Sequence, residues 1–314
     1  RFKINQFYKY KYNLLEIYME LLNNEIECMN TVIANRYKII EKIGQGSFGS
    51  VYKGLNLFNE ELVAIKFEPY DTKFKLLKHE TKICKYLENF SMFPSIKWSG
   101  IFSKYRYTVF ELLGISLEDL LKREKKLQLD LVYIIANQAI DSIQCIHEQN
   151  IIHRDIKPDN FLFGRNEKNN TLFLIDFGLS KKIMDNDNIH ISNKKCNKYT
   201  GTLRYISTHI HNGNMASRRD DLISLGYMFI YLLKGKLPWQ NLKDDSNRSE
   251  FIKQTKMNIP LDTLCHGIPK EFQIFLQYVY KLSFDETPNY FILKNLFSNF
   301  QLDTKENKIK EIEA

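Results

Sequence analysis

The chain has 314 residues, a formal net charge of +8, and 44% hydrophobic with 13% aromatic residues, which supplies a core for one large domain or two lobes and excludes general disorder. Its five cysteines lie far apart with no Cys-x-x-Cys pair, which excludes a zinc ribbon and a disulfide scaffold and fits a reducing compartment. No apolar run reaches the length of a membrane span, and the N-terminal "RFKINQFYKYKYN" lacks a signal-peptide core, so a cytoplasmic chain is expected, with the nucleus also open to it.

A basic balance of this size attracts nucleic acid, anionic membrane surfaces or acidic peptides. No stretch mixes Lys and Arg with aromatics as an RNA-binding sheet does, and no zinc-finger or basic-zipper pattern is present. Nucleic acid is therefore the disfavoured partner.

In chain order, residues 14–29 ("LLEIYMELLNNEIECM") space their apolar residues as a helix does. From residue 37 to about 112 the pattern is short strands, with a turn near Asn59 and one helix over residues 76–88. After Gly114 the periods lengthen. "LDLVYIIANQAIDSIQCIHEQN" and "DLISLGYMFIYLLKG" read as helices, the second stopped by Gly235 and then Pro238. The predicted organisation is α+β: an extension over 1–36, a small strand-rich lobe with one main helix over 37–112, a larger helical lobe over 113–302, and a charged tail over 303–314.

"GQGSFGSV", from Gly44 to Val51, is a G-x-G-x-x-G-x-V stretch in which missing side chains let backbone N–H groups approach phosphate oxygens. A dinucleotide-binding turn would need a helix straight afterwards, whereas "SVYKGLNLF" alternates like a strand, so a hairpin is expected. Taken alone, the stretch fits a structural glycine turn equally well. Lys66 in "VAIK" follows on the next strand, and Glu80 lies on the helix in "LKHETKICKYL". A lysine tied to a glutamate is a fixed cation suited to the α- and β-phosphates of a nucleotide.

The decisive stretch is "IIHRDIKPDNFLF", which matches H-R-D-x-K-x-x-N. In this pattern Asp155 accepts the proton of a substrate hydroxyl, Lys157 neutralises the transferring phosphoryl group, and Asn160 holds magnesium. "LIDFGLS" follows, with Asp176 placed to bind magnesium next to the nucleotide phosphates. Four motifs in this order make up the protein-kinase signature set.

Beyond these motifs, "HRDIKPDNFLFG", "PSIKWSG", "ELLGISLEDL", "GTLRYIS", "SRRDDLISLGYMFIYLLKGKLPWQNL" and "IPLDTLCHGIPKEF" resemble the casein kinase 1 family over about residues 37–300. The resemblance implies a bilobal protein-kinase fold using ATP and Mg2+, a monomer, and Ser/Thr transfer to acidic or already phosphorylated proteins. In that family a Ser-Ile-Asn type sequence replaces the Ala-Pro-Glu that ends most activation segments. Here Ser207 is kept, while Thr208 and His209 stand at the next two places; His209 reads equally as a hydrogen-bonding anchor of the segment and as a tolerated local change.

The resemblance further assigns Ile43, Gly44, Gln45, Gly46, Ser47, Phe48, Gly49, Val51, Ala64 and Lys66 to nucleotide binding, with Phe110 as gatekeeper and Glu111 to Leu113 as the hinge. Thr202 is implied to link the activation segment to Asp155 and Lys157, and Asp221 to brace the catalytic loop. Arg204 matches part of a basic pocket for substrate anions. A lysine of that pocket is replaced by Asn247, with Arg248 next to it as a substitute, and Asp244 and Asp245 add negative charge nearby. Preference for a primed substrate is therefore expected to be weakened rather than reversed. The alternative is a pseudokinase that acts by docking partners.

Overall fold

The computed structural model describes residues 30–46, 49–196, 198–240 and 247–298. The expected helix over 14–29, the tail over 303–314, and Ser47, Phe48, Asp244 and Asp245 lie outside the described residues. The chain divides into two units. The first runs to Thr81 and takes in Ser95–Leu112; the second is formed by Lys82–Pro94 and the residues from Leu113 onward.

The first unit is an antiparallel sheet of six strands: β1 (Val32–Ile33), β2 (Tyr37–Gly46), β3 (Gly49–Asn56), β4 (Leu62–Pro69), β5 (Ile96–Phe102) and β6 (Tyr105–Glu111), ordered β1-β2-β3-β4-β6-β5. Asn56 Oδ1 accepts from Phe58 N at 3.1 Å and Asn59 Oδ1 from Glu61 N at 3.2 Å, and these side-chain turns close the β3–β4 hairpin. On β4, Val63, Ile65 and Phe67 are buried in one core with Tyr37, Ile39 and Val109. Successive strand residues face opposite sides, so Ala64, Lys66 and Glu68 share the other face. There Glu68 caps helix α1 (Leu76–Tyr86) by accepting from Leu77 N at 3.0 Å. The helix stops at Tyr86, slightly short of the expected end.

The second unit holds α2 (Leu117–Glu124), α3 (Leu129–Glu148), α4 (Thr208–His211), α5 (Arg218–Lys234), α6 (Arg248–Asn258), α7 (Leu261–Leu264), α8 (Lys270–Lys281) and α9 (Tyr290–Ser298). Between α3 and α4 two short antiparallel pairs form, β7 (Ile151–Ile152) with β10 (Lys181–Lys182), and β8 (Phe161–Phe163) with β9 (Leu172–Leu174). α3 buries Val132, Ile135, Ala139, Ile143 and Ile146 along one stripe. α5 is buried on every side from Arg218 to Leu232. It begins at Arg218 rather than at the expected Asp221, because Ser217 and Asp220 form a reciprocal capping box, and it ends at Gly235, whose φ is 73°. Phe229, Phe272, Phe275 and Phe297 from α5, α8 and α9 pack with ring centres 5.1 to 6.0 Å apart.

Among the described residues no helix is long and apolar enough to cross a membrane. Among the described residues Cys84, Cys145, Cys196 and Cys265 form no disulfide.

Candidate active site

In the first unit, the glycine stretch is a hairpin: Gly44 faces Val51, Gln45 faces Ser50 and Gly46 faces Gly49. Ser50 Oγ donates to Gln45 Oε1 at 2.8 Å, and Ile43 is exposed. The two outer glycines are present for different reasons. A side chain at Gly49 would run into the carbonyl oxygen of Phe67, so packing against β4 demands that glycine, whereas one at Gly44 would meet only Val51 at ordinary contact distance. Nothing in the sheet requires Gly44 to be a glycine.

On β4, Lys66 Nζ lies 2.7 Å from Glu80 Oε2 of α1, with the carboxylate side chain only 5% exposed. The ion pair fixes the amine in place. Ala64 pairs across the sheet with the buried Phe110. Glu111 ends β6 with its N–H given to Ser95 O at 3.1 Å and its carboxylate accepting from Ser95 N at 2.7 Å. Leu113 follows outside regular structure.

In the second unit, β7 leads directly into His153-Arg154-Asp155. Arg154 has φ 71°, a costly backbone conformation for a long side chain. Asp221 of α5 holds it there: Oδ2 accepts from His153 N at 2.7 Å and Oδ1 from Arg154 N at 2.9 Å. Burial works to raise the Asp221 pKa, but the hydrogen bonds from His147 and from the His153 backbone prevail and hold the carboxyl below its ordinary value. His147 is driven the other way by burial and stays neutral. A neutral ring that gives Nε2–H to Asp221 Oδ2 at 3.0 Å must accept at Nδ1, where the Tyr290 hydroxyl lies 2.5 Å away.

Asp155 is enclosed by donors. Oδ1 accepts from Thr202 N at 2.9 Å and from Thr202 Oγ1 at 2.7 Å, and Oδ2 lies 2.7 Å from Lys157 Nζ. Asn160 Nδ2 donates to Asp155 O at 2.8 Å. Burial would lower the Lys157 pKa, but Asp155, with Asp159 and Asp176 beyond it, outweighs burial and raises it. Asp176 sits at φ 66°, between Ile175, whose N donates to Asn160 O at 2.9 Å, and Phe177, whose ring packs 5.5 Å from Phe93 and 5.1 Å from His153. Asp155, Lys157, Asn160 and Thr202 are thus brought into one cluster, with Asp176 tied to it through the Ile175–Asn160 backbone link.

The segment carrying Thr202 approaches the catalytic loop at Gly201, φ 102°, where any side chain would strike Arg154 O. Farther on, Ser207 Oγ donates to Asp220 Oδ1 in a short hydrogen bond and accepts from Ile210 N at 3.1 Å, capping α4. Burial raises Asp220 to about 6, opposed by the hydrogen bonds from Ser207 and Ser217. Of the two readings of His209 the anchor is not met: among the described residues its ring makes no hydrogen bond, and the anchor of the segment is Ser207 on the α5 cap. Burial, then Arg219, depress the His209 pKa to about 4.

Arg204 is half-buried, with Nη1 3.5 Å from the Tyr205 hydroxyl and its guanidinium 5.3 Å from the Tyr231 ring centre. Glu118 also acts on its charge. Arg248 is exposed at the first position of α6.

His147 and Tyr290 were missed in the sequence. His147 meets Asp221 and Tyr290 across separations of 74 and 143 residues, and only a histidine on the buried stripe of α3 hints at them.

The donor set fits a magnesium–nucleotide group. With Nδ2 turned to Asp155 O, Asn160 presents its amide oxygen, and Asp176 presents a carboxylate. These are hard donors of the kind that magnesium takes while keeping several waters. Within the second unit Lys157 adds a cation beside these donors, and within the first unit Lys66 is a cation held by Glu80, each of a kind that suits phosphate. Among the described residues no three His, Cys, Asp or Glu side chains cluster as an all-protein metal cage would require. The model of the family described as protein kinase domain matches residues 37–290 of the chain.

Proposed function

The chain belongs to the protein kinase family, and from that premise we propose that it is a serine/threonine kinase of casein kinase 1 type, acting as a monomer on acidic or phospho-primed proteins. Membership makes it a phosphotransferase acting on protein substrates, with an α+β kinase fold of a strand-rich N-terminal unit and a helical C-terminal unit. We place the kinase domain at residues 37–302.

One observation carries the reading: the buried Asp155 carboxylate has both oxygens oriented, Oδ1 by Thr202 and Oδ2 by Lys157. A carboxylate fixed this way is suited to accept the proton of an attacking hydroxyl. The new bond forms between that oxygen and the γ-phosphorus of ATP, the bond to the β-phosphate oxygen breaks, and ADP leaves with the electron pair. Lys157 stands next to the developing charge, and Lys66, fixed by Glu80, holds the nucleotide phosphates. Asn160 and Asp176 would hold magnesium, which supplies neutralisation of phosphate charge when bound. Thr202 on Asp155 supports Ser/Thr acceptors, by the casein kinase 1 resemblance. Arg204 supports an acidic preference, and Glu118 in the same field supports a modest gain from priming.

The test is magnesium-dependent phosphate transfer to an acidic peptide and to its phospho-primed form, by the parent and by Asp155→Asn. The expected result is transfer by the parent and a loss of about 10²–10⁴-fold in the variant. A folded parent that binds nucleotide but transfers nothing would overturn the reading in favour of a docking protein.

A further inference from the structure

Lys256 of α6 is only 4% exposed, and its amine is turned onto the segment that follows Thr202. Nζ donates to Leu203 O at 2.8 Å and to Ile206 O at 2.7 Å, lies 3.3 Å from His211 Nε2, and stands 5.2 Å from the ring centres of both Tyr227 and Trp239. Among the described residues no carboxylate pairs with it. Burying an amine without a counter-charge is unfavourable, and an apolar side chain of similar length would avoid that desolvation. What the amine adds is direction. It grips two carbonyls of a single stretch of backbone, and Trp239 Nε1 takes a third, Arg204 O, at 2.8 Å.

Those carbonyls lie just after Thr202, the residue that orients Asp155 Oδ1. Ser207 fixes the far end of the same stretch through Asp220. Between these two ends the backbone makes few ties of its own, Tyr205 N and Ile206 N both returning to Thr202 O at 2.8 and 3.1 Å. With the stretch held at Ser207 alone, the place of Thr202 would rest on its own two hydrogen bonds to Asp155. We propose that Lys256 is a positioning residue for phosphoryl transfer: by binding the carbonyls of Leu203 and Ile206 it holds Thr202 on Asp155 and fixes the backbone that carries Arg204. The proposal rests on the kinase reading above. Burial also lowers the Lys256 pKa well below that of an ordinary lysine.

The test compares the parent with Lys256→Met, which keeps length and removes the donors, and with Trp239→Phe, which keeps the ring and removes only the donation to Arg204 O. Lys256→Met is expected to lower kcat/KM for the acceptor peptide roughly 10- to 100-fold, the scale of an ångström-sized misplacement, with KM for ATP within about twofold of the parent. Trp239→Phe should move the same quantity in the same direction by less, and it decides the matter should Lys256→Met fail to fold. Peptide kcat/KM at the parent's value in a folded variant would overturn the proposal, as would parallel losses of ATP affinity and melting temperature, which mark a packing role. A parent that transfers no phosphate defeats the kinase reading instead. Hydrogen exchange at the Thr202 amide then decides for Lys256, faster exchange in Lys256→Met supporting it and unchanged exchange overturning it.

Discussion

Thr202 and Asp155, 47 residues apart in sequence, are joined twice, since the backbone N–H and the hydroxyl of Thr202 both donate to the same oxygen, Asp155 Oδ1. The other oxygen lies 2.7 Å from Lys157 Nζ and 3.5 Å from Asn160 Nδ2. Two donors on one oxygen fix the carboxylate's rotation, so its remaining lone pairs lie on a defined side.

Replacing Thr202 by Val removes the hydroxyl donor and keeps the shape. The expected outcome is a fall in kcat of roughly 10- to 100-fold, a misorientation effect, with ATP affinity retained. Thr202→Ser should recover most of the rate. Steady-state kinetics with a fixed acidic peptide check both, and a Val variant as fast as the parent would remove Thr202 from the site.

The Lys66–Glu80 pair acts as one unit. Lys66→Met is expected to lower kcat by about 10²–10³-fold, as loss of a preorganised cation does, and Glu80→Gln by less, since the cation stays but loses its tether. The double variant should be no worse than Lys66→Met alone. Additive losses would show that the two side chains act separately.

Tyr290→Phe tests the buried chain from α9 to the catalytic loop. It leaves His147 Nδ1 without its donor in a fully buried site, at an expected cost of about 1–3 kcal/mol in stability. Urea unfolding measures it; an unchanged midpoint would mean that the Tyr290 hydroxyl contributes nothing to holding Asp221.

His209 and His211 make stability fall in acid. Burial and then Arg219 depress His209 to about 4, and burial and then Lys256 depress His211 to about 3, against an ordinary value of 6.5. Between these values the unfolded chain binds protons that the folded chain refuses. Their contribution is therefore full above 6.5 and is lost as pH falls toward 4 and 3. The melting temperature should drop from pH 7 to pH 5, and His209→Asn should narrow that drop; an equal drop in parent and variant would contradict the assignment.

Arg204→Gln should reduce kcat/KM for the phospho-primed peptide more than for the unprimed one, and the difference should shrink as salt is raised. Equal reductions on both peptides at low salt would leave Arg204 with only its stacking on Tyr231.

The order of strand-rich and helical regions, the glycine hairpin, and the local runs from His153 to Asn160 and from Asp176 to Gly178 are legible in the sequence, because each is written in contiguous residues whose spacing carries its own meaning. It also placed the stop of α5 at Gly235, though not its start, which depends on the Ser217–Asp220 box. Tertiary structure alone decided that Asp221 receives its proton donor from His147 and, through it, Tyr290, that Ser207 rather than His209 anchors the segment, and that Lys256 reaches back to Leu203 and Ile206. In each case the partners lie on different elements, and the deciding factor is the loss of water. A buried donor or acceptor must find a partner wherever the packed helices bring one within 3 Å or so, and no local periodicity records which residue that will be.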